Sequence, residues 1–98
     1  MEHALPSTPS SLAQLTWLKR GISTLAASQA ETMQALAALY RAAKWPGALD
    51  AKTKELIALT IGVAARCDGC LTFHTHDALR AGATETEAEI MEMLGALC

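Results

Sequence analysis

Glu55, Cys67, Cys70 and His74 are the residues of this chain whose types and spacing can do chemistry. They read as E-x11-C-x2-C-x3-H within the stretch ELIALTIGVAARCDGCLTFH, from Glu55 to His74. Cysteine attacks as the thiolate. A free thiol has a pKa of about 8.5, so near neutral pH something must favour the anion. Three features can do so. Cys70 falls where a helix is expected to start, and unpaired backbone N–H groups there stabilise negative charge. His74 lies four residues on, one helical turn away on the same face, and can take or share the proton. Glu55 lies one helix earlier and can face the cysteine pair if the two helices form a hairpin. Cys67 and Cys70, three residues apart, can close a small disulfide ring. If Cys70 is oxidised to a sulfenic acid, Cys67 can resolve it by forming that disulfide.

Each residue also has a plainer reading. Alone, Glu55 is a solvated helix charge, His74 a structural histidine, and each cysteine a small buried hydrophobe. The grouping of two cysteines with a histidine four residues on favours function. Zinc is not expected: Cys67, Cys70 and His74 offer three ligands where structural sites use four. His76 lies about 200° around the helix from His74 and is assigned to the surface or an interface. Cys98 is isolated and reads as a spectator thiol. Haem attachment through C-x-x-C-H fails, because Leu71 stands at the histidine position.

The elements that must position these residues follow from composition and periodicity. The chain has 98 residues, enough for one core. Apolar residues make up 51% and charged residues 18%, more apolar surface than a small monomer hides, so subunit contacts are expected. The net charge of -2, without a basic patch, argues against nucleic acid. Abundant Ala and Leu with few Val and Ile favour helices. The uncharged run Leu56 to Ala65 has ten residues, whereas a membrane span needs about 20. The first residues lack a basic segment followed by an apolar one, so no signal peptide is expected and a cytoplasmic location is. There a Cys-x-x-Cys is redox-active or metal-binding rather than a structural staple.

The sequence predicts an all-α protein of about five helices. Residues 1–9 form a loose arm, and residues 10–98 a single domain. Ser10 or Ser11 can cap a first helix, with Leu12, Leu15, Leu18, Ile22 and Leu25 along one face. After a break near Ala27-Ser28, a second helix runs from about Ser28 to Lys44, with Met33, Leu36, Leu39 and Tyr40 inward. Trp45-Pro46-Gly47 ends it. Asp50 caps a third helix from Ala51 to about Arg66, apolar nearly all round and therefore expected to be central and buried. Asp68-Gly69 reads as a short break before a fourth helix, about Cys70 to Ala81, closed by Gly82. Thr84 and Glu87 form a capping box for a fifth helix. That helix reaches Cys98 without a stop signal, so the domain is expected to be cut short there.

The motif, with Arg66 before the first cysteine and Gly82-Ala83-Thr84 opening a Glu-rich helix, resembles the carboxymuconolactone decarboxylase-like superfamily. Within it the chain is similar to the alkylhydroperoxidase AhpD-like branch, over roughly residues 33 to 95. The eponymous decarboxylases typically lack the cysteine pair. The resemblance implies an all-helical homo-oligomer, a trimer or hexamer, and thiol-dependent peroxide reduction. It makes Cys70 the peroxide-attacking cysteine, Cys67 the resolving one, and Glu55 and His74 members of the proton relay. No bound cofactor is implied; the substrate is a hydroperoxide, and the reductant an external dithiol such as a lipoyl group or a thioredoxin-like protein. Gly69 departs from the pattern, since the best-studied members carry a further relay histidine there. That departure keeps open two alternatives, a disulfide oxidoreductase without peroxidase activity and a non-catalytic redox-sensing oligomer.

Overall fold

The structure, a computed structural model, describes residues 11–98. The expected N-terminal arm and the Ser10 cap lie outside the described residues. Five helices occur in the order α1 (Ser11–Ser28), α2 (Ala30–Lys44), α3 (Ala51–Ala64), α4 (Asp68–Arg80) and α5 (Glu85–Leu97). There is no strand among the described residues. The all-α expectation therefore holds.

The described chain divides into two compact units, the first ending at Ala43 and the second running from Lys44 to Cys98. In the first, α1 and α2 are separated only by a bend at Gln29. Helical hydrogen bonds run through it, from Gln29 N–H to Leu25 O at 2.7 Å and from Met33 N–H to Gln29 O at 3.0 Å. Within this unit Leu15 is buried. The expected inward set of α2 is corrected: Leu36, Leu39 and Tyr40 are exposed and Met33 is half-buried. Their spacing defines a helical face, but spacing alone does not supply a surface to cover it.

The second unit is a three-helix core, with α3 packed on both α4 and α5. Leu56, Ala78 and Ala83 cluster at its centre, with Met91 against them. The small alanine side chains let the helices approach closely. Expectation and structure part again on α3. Glu55, Leu56, Leu59 and Gly62 are buried, but Ile57 and Ile61 on the far side are exposed. Two packed neighbours cover only part of a helix's circumference, and the apolar remainder is left outward.

The caps follow the local sequence. Asp50 accepts the Thr53 N–H at 2.7 Å at the start of α3. Thr84 and Glu87 exchange hydrogen bonds at the start of α5, at 2.8 and 3.1 Å. Gly82, at φ 102°, ends α4 in a Schellman motif, with Ala83 N–H on Ala78 O and Gly82 N–H on Leu79 O. The α3–α4 junction differs from expectation. The break falls at Arg66, in the left-handed region at φ 56°, and Asp68-Gly69 opens α4. Arg66 and Cys67 close α3 with a second Schellman pattern: Arg66 N–H bonds Val63 O at 3.0 Å, and Cys67 N–H bonds Gly62 O at 2.9 Å. Glycine is the usual left-handed residue, so Gly69 drew the sequence-based expectation three residues too far along.

Candidate functional site

Cys67 closes α3 and is also the N-cap of α4. Its sulfur accepts the Cys70 N–H at 3.1 Å. The group at the helix mouth is thus the Cys67 sulfur, and Cys70 stands within the first turn of α4. Cys70 thus lies in the first turn as expected, two residues inside the helix, and its N–H is taken up by the Cys67 sulfur. Cys67 and Cys70 are joined in a disulfide, with Cα atoms 5.1 Å apart. Both are half-buried.

The hairpin of α3 and α4 sets what faces what. Gly62 lies against Cys70: a Cβ on Gly62 would stand 2.8 Å from the Cys70 Cβ. Seven residues earlier on α3, Glu55 lies against His74, with Oε1 2.9 Å from the imidazole Nδ1. The expected hairpin therefore forms, but Glu55 faces the histidine and Gly62 faces the cysteine. Antiparallel packing requires this order, since residues further back on α3 meet residues further on along α4. Glu55 is no solvated helix charge; it is buried.

Two further groups complete the cluster. The Lys44 ammonium forms an ion pair with Glu55 Oε2. Asp77, one turn beyond His74 on α4, brings a carboxylate oxygen into a group with Glu55 and His74 whose donor atoms lie within 4.8 Å of one another. A divalent cation could be held at such spacing, but the Lys44 ammonium already supplies positive charge on the same carboxylate. Burial, then the Lys44 charge, hold the His74 imidazole below its ordinary pKa, while Asp77 opposes them. The Lys44 ammonium is itself lowered, first by burial; Asp77 raises it and Lys54 lowers it further. His74 is therefore favoured as a neutral imidazole, the form that can accept a proton.

Sequence reasoning missed Lys44 and Asp77. Asp77 had a signal, its i+3 spacing from His74. Lys44 had none beyond closing α2. His76 is half-buried on α4. Cys98 is an exposed free thiol.

The site is thus a hairpin of α3 and α4 that carries the Cys67–Cys70 disulfide beside a buried Glu55 paired with a half-buried His74. The sequence profile of the carboxymuconolactone decarboxylase family matches residues 30–97, and the chain belongs to that family. A crystal structure of a carboxymuconolactone decarboxylase family protein from Legionella pneumophila superposes with a TM-score of 0.82 at 30% identity, over 89% of this chain and 78% of that one. An uncharacterised protein of Cupriavidus necator is 39% identical over 79 residues, 80% of this chain and 70% of its own length. An uncharacterised protein of Haemophilus influenzae is 41% identical over 61 residues, 62% of this chain and 54% of its own length. Among the described residues no helix is long and apolar enough to cross a membrane.

Proposed function

We propose that the protein is an alkylhydroperoxidase-like thiol peroxidase. The observation that carries the reading is the Cys67–Cys70 disulfide at the mouth of α4, with the Glu55–His74 pair about one helical turn further along. In the reduced protein His74 takes the Cys70 proton. The Cys70 thiolate attacks a hydroperoxide oxygen, and the O–O bond breaks. The alcohol leaves with the proton that His74 held, and Cys70 becomes a sulfenic acid. Cys67, whose ionisation is favoured by its place at the helix N-terminus, attacks the Cys70 sulfur as the thiolate; the sulfenic hydroxyl leaves, takes up the proton that Cys67 gave up and departs as water, and the disulfide forms. An external dithiol, such as a lipoyl group or a thioredoxin-like protein, returns two electrons and two protons. Such a cycle suits the reducing cytoplasm. The exposed apolar residues Ile57, Ile61, Met93 and Leu97 support assembly as a homo-oligomer, a trimer or a hexamer.

Gly69, in place of the further histidine of the best-studied relatives, favours a second reading: exchange with a lipoyl or protein disulfide and no peroxide step. Mass spectrometry of the reduced protein, before and after one equivalent of an organic hydroperoxide, separates the two. The peroxidase reading expects rapid loss of one hydrogen from each of Cys67 and Cys70, mapped by differential alkylation. It expects Cys70→Ser to abolish peroxide consumption and Cys67→Ser to accumulate a sulfenic acid. Full turnover by Cys70→Ser refutes it. Unreactive thiols, with fast reduction of a lipoyl disulfide, select the second reading.

A further inference from the structure

Lys44 is the last residue of α2 and the first residue of the unit that carries the cysteine pair. Its side chain is 21% exposed, and its ammonium lies on Oε2 of Glu55, whose side chain is 7% exposed. The second carboxylate oxygen, Oε1, lies against His74 Nδ1. Buried charges need partners, and both carboxylate oxygens are occupied here. A carboxylate only accepts hydrogen bonds, so Nδ1 must carry the hydrogen. In a neutral imidazole the proton-accepting nitrogen is then Nε2.

We propose that Lys44 is a positioning residue of this site: by pairing with Glu55 Oε2 it commits Oε1 to the His74 Nδ1–H and so makes Nε2 the nitrogen that receives the thiol proton. The proposal rests on the reading of His74 as the base of the cysteine pair. Lys44 acts through Glu55 and is not itself a catalytic residue. Its charge has a second effect, since a nearby ammonium disfavours a second proton on the imidazole and keeps Nε2 open. The charged groups that bear on His74 are Lys44 at the end of α2, Glu55 from α3 and Asp77 from α4. Lys54 of α3 bears on Lys44. Glu87 of α5 is taken up by Lys52.

The test compares the full chain with Lys44→Met and Lys44→Arg, all reduced, by nitrogen NMR of labelled histidine across the pH range. The unaltered protein should show neutral His74 with the hydrogen on Nδ1. In Lys44→Met the His74 titration midpoint should rise and the Nδ1–H preference should weaken. Lys44→Arg, which keeps the cation, should restore both. The rate of Cys70 alkylation near neutral pH should fall in Lys44→Met and recover in Lys44→Arg. If Lys44→Met lowers the melting temperature but leaves the His74 midpoint and tautomer unmoved, Lys44 is merely structural and the proposal is overturned. If the His74 changes occur as stated and yet the unaltered protein consumes no peroxide, the peroxidase reading fails and the role of Lys44 stands.

Discussion

Replacing Gly62 with alanine puts helix propensity against a close approach at the cysteine pair. In most helix interiors the change is favourable, because glycine costs about 1 kcal/mol relative to alanine. Here the new Cβ would stand 2.8 Å from the Cys70 Cβ and 3.5 Å from the Cys70 carbonyl carbon. Non-bonded carbons sit at about 3.5–4.0 Å, so the start of α4 must move away by about 1 Å. That end of α4 is tied at the same place, through Cys67 N–H on Gly62 O at 2.9 Å. Overpacking of this kind costs about 1–3 kcal/mol. Set against the propensity gain, the net loss is about 0–2 kcal/mol. The larger effect falls on chemistry, since a displacement of about 1 Å at a reacting group can cost on the order of 100-fold in rate. Gly21 in α1 is the control, because a Cβ there meets nothing within 4 Å. Urea unfolding of both variants and the rate of Cys70 oxidation by hydroperoxide give the two readouts. Gly21→Ala should be stabilised by about 1 kcal/mol, while Gly62→Ala should gain nothing and react slowly. If Gly62→Ala gains as much as Gly21→Ala and oxidises at the normal rate, the close approach of α3 to Cys70 does not govern the site.

Arg66→Gly should stabilise the protein by about 1 kcal/mol in urea unfolding, because a non-glycine residue in the left-handed region carries a cost of that order. Thr84→Ala, which removes one half of the capping box, should cost about 1 kcal/mol in the same assay. The Asp50 carboxyl is held below its ordinary pKa, first by the Thr53 N–H. Its contribution is therefore complete above the unfolded value of about 3.9 and is lost as pH falls through the lower folded value. Asp50→Asn should flatten that part of an acid-unfolding profile. His74 has the opposite charge change: the unfolded chain takes up a proton near pH 6.5, at about the ordinary histidine value, and the folded chain only below it. Stability should therefore fall as pH drops from about 6.5 through the folded value. Melting temperatures of His74→Gln and the unaltered protein, compared from about pH 8 to about pH 5, should diverge at the acid end; parallel curves would remove His74 as the group responsible.

The features legible in the sequence are those set by neighbouring residues. Asp50, Gly82 and the Thr84–Glu87 pair act within one turn of chain, and each cap forms where its residue type places it. The all-helical class follows from composition and period for the same reason. Arg66 escaped because arginine carries no local signal for a left-handed backbone; the requirement comes from closing α3 and opening α4 at a single residue, Cys67. The inward faces were misjudged on α2 and α3, where periodicity marks an apolar stripe without saying how much of it a neighbour covers.

The sequence by itself determined the helices, their caps and the presence of two cysteines with a carboxylate and a histidine at family-like spacing. Only the tertiary structure decided which groups meet. The hairpin sets Gly62 against Cys70 and Glu55 against His74, and it leaves the Cys67 sulfur on the helix mouth. It also brings Lys44 onto Glu55 and Asp77 into the same cluster. Helix formation depends on contacts one turn apart, which a linear pattern records. The composition of the site depends on the register of two antiparallel helices and on burial, which bring a long-range pair such as Lys44–Glu55 together and make the loss of either partner costly. No local pattern records those.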